Sequence, residues 1–293
     1  MLAAYSIHVR YAIKSMLLIV VAKLEGIKIM AHPGLKDGPI YLDYNATTPV
    51  DPAVVDAMLP YLSTYFGNPS STHAYAQPTR IAMATAREQV AQLLGCSAEE
   101  IIFTSCGSES NALAIRGAAL ANRFHGNHII TQVTEHPAVI NVCKALTRLH
   151  GFRVTYLPVD KFGRINPAEL EAAIEEQTTL ISIMYANNET GTMQPISELA
   201  DIARRHRVLL HTDASQVVGK VPIDVQHLGV DFLTVTGHKF YAPKGIGALY
   251  VRRGLQLEPL LYGGGQETGL RAGTENIAFM VAMARRPYRH VKS

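Results

Sequence analysis

The chain has 293 residues, enough to bury one large core or two smaller ones. It is 48% hydrophobic and 17% charged, and a scattered formal charge of +3 gives no case for nucleic acid as a partner. No repeat or low-complexity tract is visible; Cys96, Cys106 and Cys143 form no Cys-x-x-Cys pair, which argues against a disulfide framework and for a reducing cytoplasm.

Residues 1–39 read as an extension ahead of the domain. A short apolar run, 16–22, follows Arg10 and Lys14. It is too short to cross a membrane and no small-x-small cleavage site follows, so neither a membrane partner nor a signal peptide is expected. Met30 reads as an alternative start, and organised sequence begins near Tyr41.

Beyond residue 80, helical and strand patterns alternate. Helical spacing over 80–94 stops at Gly95, 101–104 is a short apolar strand, and 108–123 is a helix that Ser108 is placed to cap. His125 and His128 have no cysteine or carboxylate nearby, so they read as a solvated turn and no metal is expected. Strands are expected at 128–131, 153–157, 180–184 and 208–212, and helices at 137–149, 167–174 and 196–205. Two more strands, 231–235 and 247–251, complete the pattern. Such alternation with short connections predicts an α/β fold, a mostly parallel sheet with helices on both faces and ligands at the carboxyl ends of the strands. Ser108, His136, Asn188, Asp213 and Lys239 each follow an apolar strand within a few residues, so they converge on one sheet edge.

Lys239 ends one apolar run and Asp213 another. A lysine and an aspartate at neighbouring strand ends can grip the two ends of pyridoxal 5'-phosphate (PLP). The amine forms a Schiff base with the aldehyde, and the carboxylate keeps the ring nitrogen protonated. Burial beside His238 is expected to lower the Lys239 pKa, while Lys244, between Pro243 and Gly245, reads as part of a turn. Gln216 is placed to reach the phenolic oxygen. Gly107 and Ser108 open a helix whose N-terminus favours an anion such as phosphate. His136, before Pro137, is placed to stack on the ring and shuttle protons. Asn188 is placed to bond the cofactor oxygen or a substrate carboxylate, with Glu189 and Gly191 shaping its turn.

Several blocks occur in order: Tyr41-Leu-Asp-Tyr-Asn-Ala-Thr-Thr-Pro49, Gly67-Asn-Pro-Ser-Ser71, Ser108-Glu-Ser-Asn111, Glu135-His-Pro137, Asn187-Asn-Glu-Thr-Gly191, the Asp213 and Lys239 blocks, Gly263-Gly-Gly-Gln-Glu267 and Arg271-Ala-Gly-Thr274. Over about residues 40–284 the chain resembles the cysteine desulfurases of the class V aminotransferase superfamily, which serve iron–sulfur cluster assembly. The resemblance implies the large domain of a fold type I PLP enzyme working as a homodimer. It implies that Lys239 carries the cofactor, that Asp213 and Gln216 hold its ring, and that His136 stacks on it. Gly107, Ser108, Thr236 and His238 would bind the phosphate, Thr274 would reach the partner subunit's phosphate, and Asn188 would lie near cofactor and substrate. Residues 46–48 would line the substrate entrance. L-cysteine would be converted to L-alanine, with the sulfur passed as a persulfide to an acceptor or scaffold protein.

The family's sulfur-accepting cysteine and substrate-binding arginine are expected in a C-terminal small domain, downstream of Ser293, and residues 285–293 read as an aberrant basic tail. Cys96, Cys106 and Cys143 do not read as substitutes. Three alternatives therefore stand beside an impaired desulfurase: a PLP-binding remnant without turnover, a selenocysteine lyase acting on L-selenocysteine, and another class V lyase or transaminase.

Overall fold

The computed structural model describes residues 32–36 and 38–285; the apolar run at 16–22, Met30 and nearly all of the basic tail lie outside them. Two compact units divide the chain after Tyr44. Among the described residues of the first, a 3-10 turn, Pro33–Leu35, is capped by His32, whose Nδ1 accepts from Gly34 N at 3.1 Å. The Tyr41 and Tyr44 rings of this unit lie 5.2 Å apart, and the Tyr41 hydroxyl donates to Asp43 O.

The second unit carries the sheet. Its helices are α1 (Pro52–Met58), α2 (Pro60–Ser63), α3 (Ala76–Leu94), α4 (Gly107–Ala121), α5 (Pro137–His150), α6 (Pro167–Ala173), α7 (Ile196–Arg205), α8 (Val225–Leu228) and α9 (Ile277–Ala284). The strands are β1 (Ile101–Thr104), β2 (His128–Gln132), β3 (Arg153–Leu157), β4 (Thr178–Ser182), β5 (Leu209–Asp213), β6 (Phe232–Thr236) and β7 (Gly247–Val251). Local chemistry sets many of the boundaries. Asp51, His136 and Asn166 each cap a helix that begins with proline, accepting from the N–H two residues on. Gly95 and Gly151 end α3 and α5 at φ 71°, a left-handed conformation costly for residues with a Cβ.

Strand order is β1-β7-β6-β5-β4-β2-β3. The pairings from β3 through β2, β4 and β5 to β6 are parallel, and β7 runs against both its neighbours, β6 and β1. The α/β expectation therefore holds, with one reversed strand. Successive residues along each strand face opposite sides. Ile130, Ile181, Leu210 and Leu233 join one core with Val90 and Leu94 of α3, Leu199 of α7 and Met280 of α9. Ile129, Leu180, Phe232 and Leu249 join another with Leu113 and Ile115 of α4 and Val139 and Leu146 of α5. Both faces are thus covered, and truncating one such leucine to alanine would cost about 2–5 kcal/mol.

Three local expectations need correction. The 180–184 strand lies at Thr178–Ser182; Ile183 and Met184 stay buried beyond its end, where Ile183 N still donates to His211 O at 3.0 Å. Ser108 does not cap α4; Cys106 occupies that position without a side-chain bond, and Ser108 lies in the first turn. The turn at 125–128 is not solvated throughout. His128 opens β2 at 1% exposure, with Nδ1 2.7 Å from Thr178 Oγ1 and Nε2 2.8 Å from Thr155 Oγ1. Among the described residues no cluster of histidine, cysteine and carboxylate has the makings of a metal site, and no helix is long and apolar enough to cross a membrane.

Candidate active site at the carboxyl end of the sheet

β5 delivers Asp213 at its last position, buried at 6% exposure, where an isolated carboxylate would be costly. Two donors meet it: Ser215 N reaches Oδ1 at 2.9 Å, and Asn111 Nδ2 reaches Oδ2 at 2.7 Å. His211, two residues earlier on the same strand, is fully buried between Ser182 and Thr234, with ring nitrogens 2.9 and 3.1 Å from their hydroxyls. Burial drives its pKa down, partly opposed by the Asp213 charge, so the ring is neutral beside the carboxylate.

β6 runs into a 3-10 turn, Gly237–Lys239, which carries the lysine out of the sheet. Lys239 Nζ donates to Asn45 O at 2.6 Å and to Ala46 O at 2.9 Å. Gln216 Nε2 donates to the same Asn45 carbonyl at 3.0 Å, so the two head groups meet there. Lys220 adds a donor to Gln216 Oε1 at 2.8 Å, and desolvation together with the Lys239 charge lowers its pKa. His238 Nδ1 lies 3.1 Å from Thr47 Oγ1, and burial, then the charges of Lys239 and Lys244, lower its pKa. Lys244 is exposed in its turn. Thr48, expected at an entrance, is instead buried: its N–H and hydroxyl both donate to His238 O and its oxygen accepts from Tyr241 N, which clamps the turn.

Gly107 begins α4 against β6. A Cβ there would stand 2.0 Å from Thr236 Oγ1, so only glycine allows this approach. Thr236 Oγ1 is also 2.7 Å from Ser215 Oγ, which gathers two hydroxyls below the open N–H groups of the helix start. In that first turn, Glu109 accepts from Ser105 and pairs with Arg271 at 2.8 Å. Burial pushes the Glu109 carboxyl up, but the Arg271 and Ser105 hydrogen bonds hold it below the usual range. The pair ties the segment bearing Thr274 to α4, and Ser108 and Thr274 are both exposed.

On the other side, β2 leads to His136, which caps α5. Its Nδ1 accepts from Ala138 N at 3.1 Å, so a neutral ring carries its proton on Nε2, and the side chain is exposed. Asn188 follows β4 in a turn organised by its neighbour: Asn187 Oδ1 accepts from Glu189 N and Thr190 N, and Asn187 Nδ2 donates to Thr134 O. Asn188 O accepts from Asn45 Nδ2 at 3.4 Å, which links this turn to the Lys239 cluster.

Hydrogen bonds thus join Lys239, Gln216 and Asn188 through Asn45, and Asp213 to Thr236 through Ser215, with Gly107 packed on both hydroxyls. Sequence reasoning did not single out Asn45, Asn111, Ser215 or Lys220. Asn45 and Asn111 lay inside blocks whose order it had noted, and only spatial adjacency reveals their partners. The three cysteines lie apart from this cluster or at its edge. Burial pushes the Cys96 and Cys143 thiols up to about 12, so neither forms a thiolate near neutral pH. Cys106 sits at the α4 N-cap beside Ser105.

A family model described as aminotransferase class V matches residues 40–286. Cysteine desulfurase IscS of Dictyoglomus turgidum is 51% identical over 246 residues, covering 84% of this chain and 62% of the relative. The cysteine desulfurase of Mus musculus is 50% identical over 248 residues, 84% of this chain and 54% of the relative. The chain therefore spans a little over half the length of these curated relatives. Among solved structures, SspA in complex with cysteine aligns at a TM-score of 0.82 and 44% identity, covering 84% of this chain and 71% of that one. A NifS-like protein aligns equally well at 0.82, with 42% identity and coverage of 85% and 68%.

Proposed function

The chain belongs to the class V aminotransferase family, and from that premise we propose that it holds PLP at the carboxyl end of its sheet and acts in cysteine desulfuration. The observation that carries the reading is the pairing of Asp213, buried and fixed by two donors, with Lys239, held at a neighbouring strand end by two carbonyls. The residues fit the cofactor. Gly107 leaves room for an anion to approach the α4 N-terminus, Asn111 Oδ1 and Glu135 Oε2 are buried without partners, and the donor set is anionic at one end and cationic at the other.

Once bound, PLP supplies an aldehyde that captures amines and a ring that draws electrons from the substrate α-carbon. Asp213, held by Asn111 and Ser215, would be the hydrogen-bond acceptor for the ring nitrogen. Lys239 would leave the two carbonyls that hold it to bind the aldehyde, with Lys220 and His238 as charged or polar neighbours. His136 carries a movable proton on Nε2 at the open face of the site. Gln216 and Asn188 orient cofactor and substrate oxygens. Gly107, Ser108, Thr236 and His238 bind the phosphate, and Thr274 reaches the site of the second subunit in a homodimer.

The substrate is L-cysteine, in keeping with the cysteine-bound structural relative, and the product is L-alanine. L-selenocysteine is the competing substrate. The sulfur passes to an acceptor or scaffold protein of iron–sulfur assembly in the cytoplasm. With their thiols protonated, Cys96 and Cys143 do not carry it.

The test loads the purified full chain with PLP and adds L-cysteine and an excess of a small thiol, one equivalent to accept the sulfur as a persulfide and a second to reduce it to sulfide with formation of the disulfide. A visible absorbance band abolished by Lys239→Ala, with alanine and sulfide formed in equal amounts, is the expected result. A band that responds to cysteine without sulfide release would leave a cofactor-binding unit and overturn the turnover reading. No uptake of PLP would overturn both.

A further inference from the structure

Helix α4 is pinned to the sheet at its start. Thr104 Oγ1 lies 2.7 Å from Ser110 Oγ, the Ser110 hydroxyl donates to Ala248 O at 3.1 Å, and Gly107 packs on Thr236. One turn beyond Gly107 stands Asn111, 1% exposed. Asparagine is a poor residue for a helix interior and an expensive one to bury, so its place calls for an interaction that repays both costs. Its Nδ2 donates to Asp213 Oδ2 at 2.7 Å, while its Oδ1 is buried without a partner. Only this orientation avoids setting an amide oxygen against a carboxylate. The other Asp213 oxygen takes Ser215 N, so each oxygen has one fixed donor and the carboxylate plane is set from two directions.

We propose that Asn111 is a positioning residue: it fixes the Asp213 carboxylate toward the cofactor ring from the same helix whose first turn faces the phosphate. Both ends of the cofactor pocket are then referenced to one rigid element, and their separation is set by a single helical turn. The inference rests on the PLP reading above and adds to it a residue outside the expected cofactor-binding set.

The experiment follows loss of the visible band when PLP-loaded full chain is diluted into a cofactor trap, for wild type, Asn111→Leu, Asp213→Ala and the double variant. Leucine keeps the branching of the amide at Cγ and removes its donor. The expected result is release about tenfold faster in Asn111→Leu, the size of a lost hydrogen bond to a charged group. Asp213→Ala should also release faster, and the double variant should match Asp213→Ala within about twofold, because residues acting through one contact are not additive. Release of Asn111→Leu at the wild-type rate, or a full extra factor in the double variant, would overturn the proposal. So would an Asn111→Leu apoprotein melting lower by as much as its loaded form, since the loss would then be structural. Wild-type chain that fails to load would instead sink the underlying cofactor reading, and this inference with it.

Discussion

At the amino end of β2, the imidazole of His128 is buried with a threonine hydroxyl at each nitrogen. At the carboxyl end of the same strand, both amide atoms of Gln132, the Thr134 hydroxyl and Glu135 Oε2 are buried and unpartnered. Near His128 one such atom is found, the Asn127 amide oxygen. Buried polar groups are normally satisfied, and those that are not call for an explanation. The two ends serve different purposes. One closes the core, and the other keeps polar capacity beside the strand ends where the cofactor is proposed to sit. The same contrast holds between buried carboxylates. Glu267 meets the Arg87 guanidinium through both oxygens and accepts from Phe103 N, whereas among the described residues Glu135 has a backbone donor, Met184 N, and pairs with no cation.

Removing a partner from the satisfied class should do the most damage. Arg87→Ala strands the Glu267 charge and is expected to cost about 3 kcal/mol in urea unfolding. A loss under about 1 kcal/mol would place Glu267 nearer to Glu135 in kind and weaken the contrast. His128→Leu comes next, at about 2 kcal/mol, because two buried hydroxyls lose their acceptor or donor, and PLP uptake should be unchanged. A change in uptake would show that the amino end is not merely structural.

The pH dependence of stability sharpens the same point. Burial, and then Arg153, hold the His128 pKa below its ordinary 6.5, against the pull of Glu175. The unfolded chain takes up that proton first, so the contribution is complete above the ordinary value and is lost as pH falls from there toward the depressed one. Unfolding curves of His128→Leu should lack this part of the acid slope. Glu135 behaves oppositely. Burial raises its pKa well above 4.5, helped by the Asp213 charge and opposed by the Met184 N–H. Stability linked to it is complete below the ordinary value and declines as pH rises through the raised one. Glu135→Gln removes the decline and should raise Tm at neutral pH by roughly 2–4 °C, the smallest effect of the set. A fall in Tm on that substitution would mean that Glu135 is ionised and paired.

Much of the fold was legible because its signals are local. Pro167 after Asn166, Gly95 after Leu94 and apolar runs such as 247–251 announce caps, stops and strands without reference to the rest of the chain. The reversal of β7 was not legible, since a buried strand reads alike in either direction. For the site, strand-end residues such as Asp213 and Lys239 stood out by chemistry and position. Asn111 did not, because a polar residue in a helical stretch reads as surface until its neighbour on another strand is known. Ser215 and Asn45 escaped because their importance lies in contacts with residues distant in the chain, Ser215 with Thr236 and Asn45 with Gln216 and Lys239. Thr48 was misplaced because a motif reports adjacency to a site, and cannot separate lining it from bracing it.

The reversed strand has a consequence for the order of assembly. β1 leads directly into the start of α4, yet its ladder partner is β7, about 150 residues later in the chain, and such distant pairings form slowly. As the polypeptide leaves the ribosome N-terminus first, β2 to β6 can pair while β1 still lacks its neighbour. β1 then gains its ladder neighbour only once β7 has been made and has slotted between β6 and β1. The sheet edge that leads into α4 is therefore completed last, although the partners of Gly107 and Asn111 on β6 and β5 are already made.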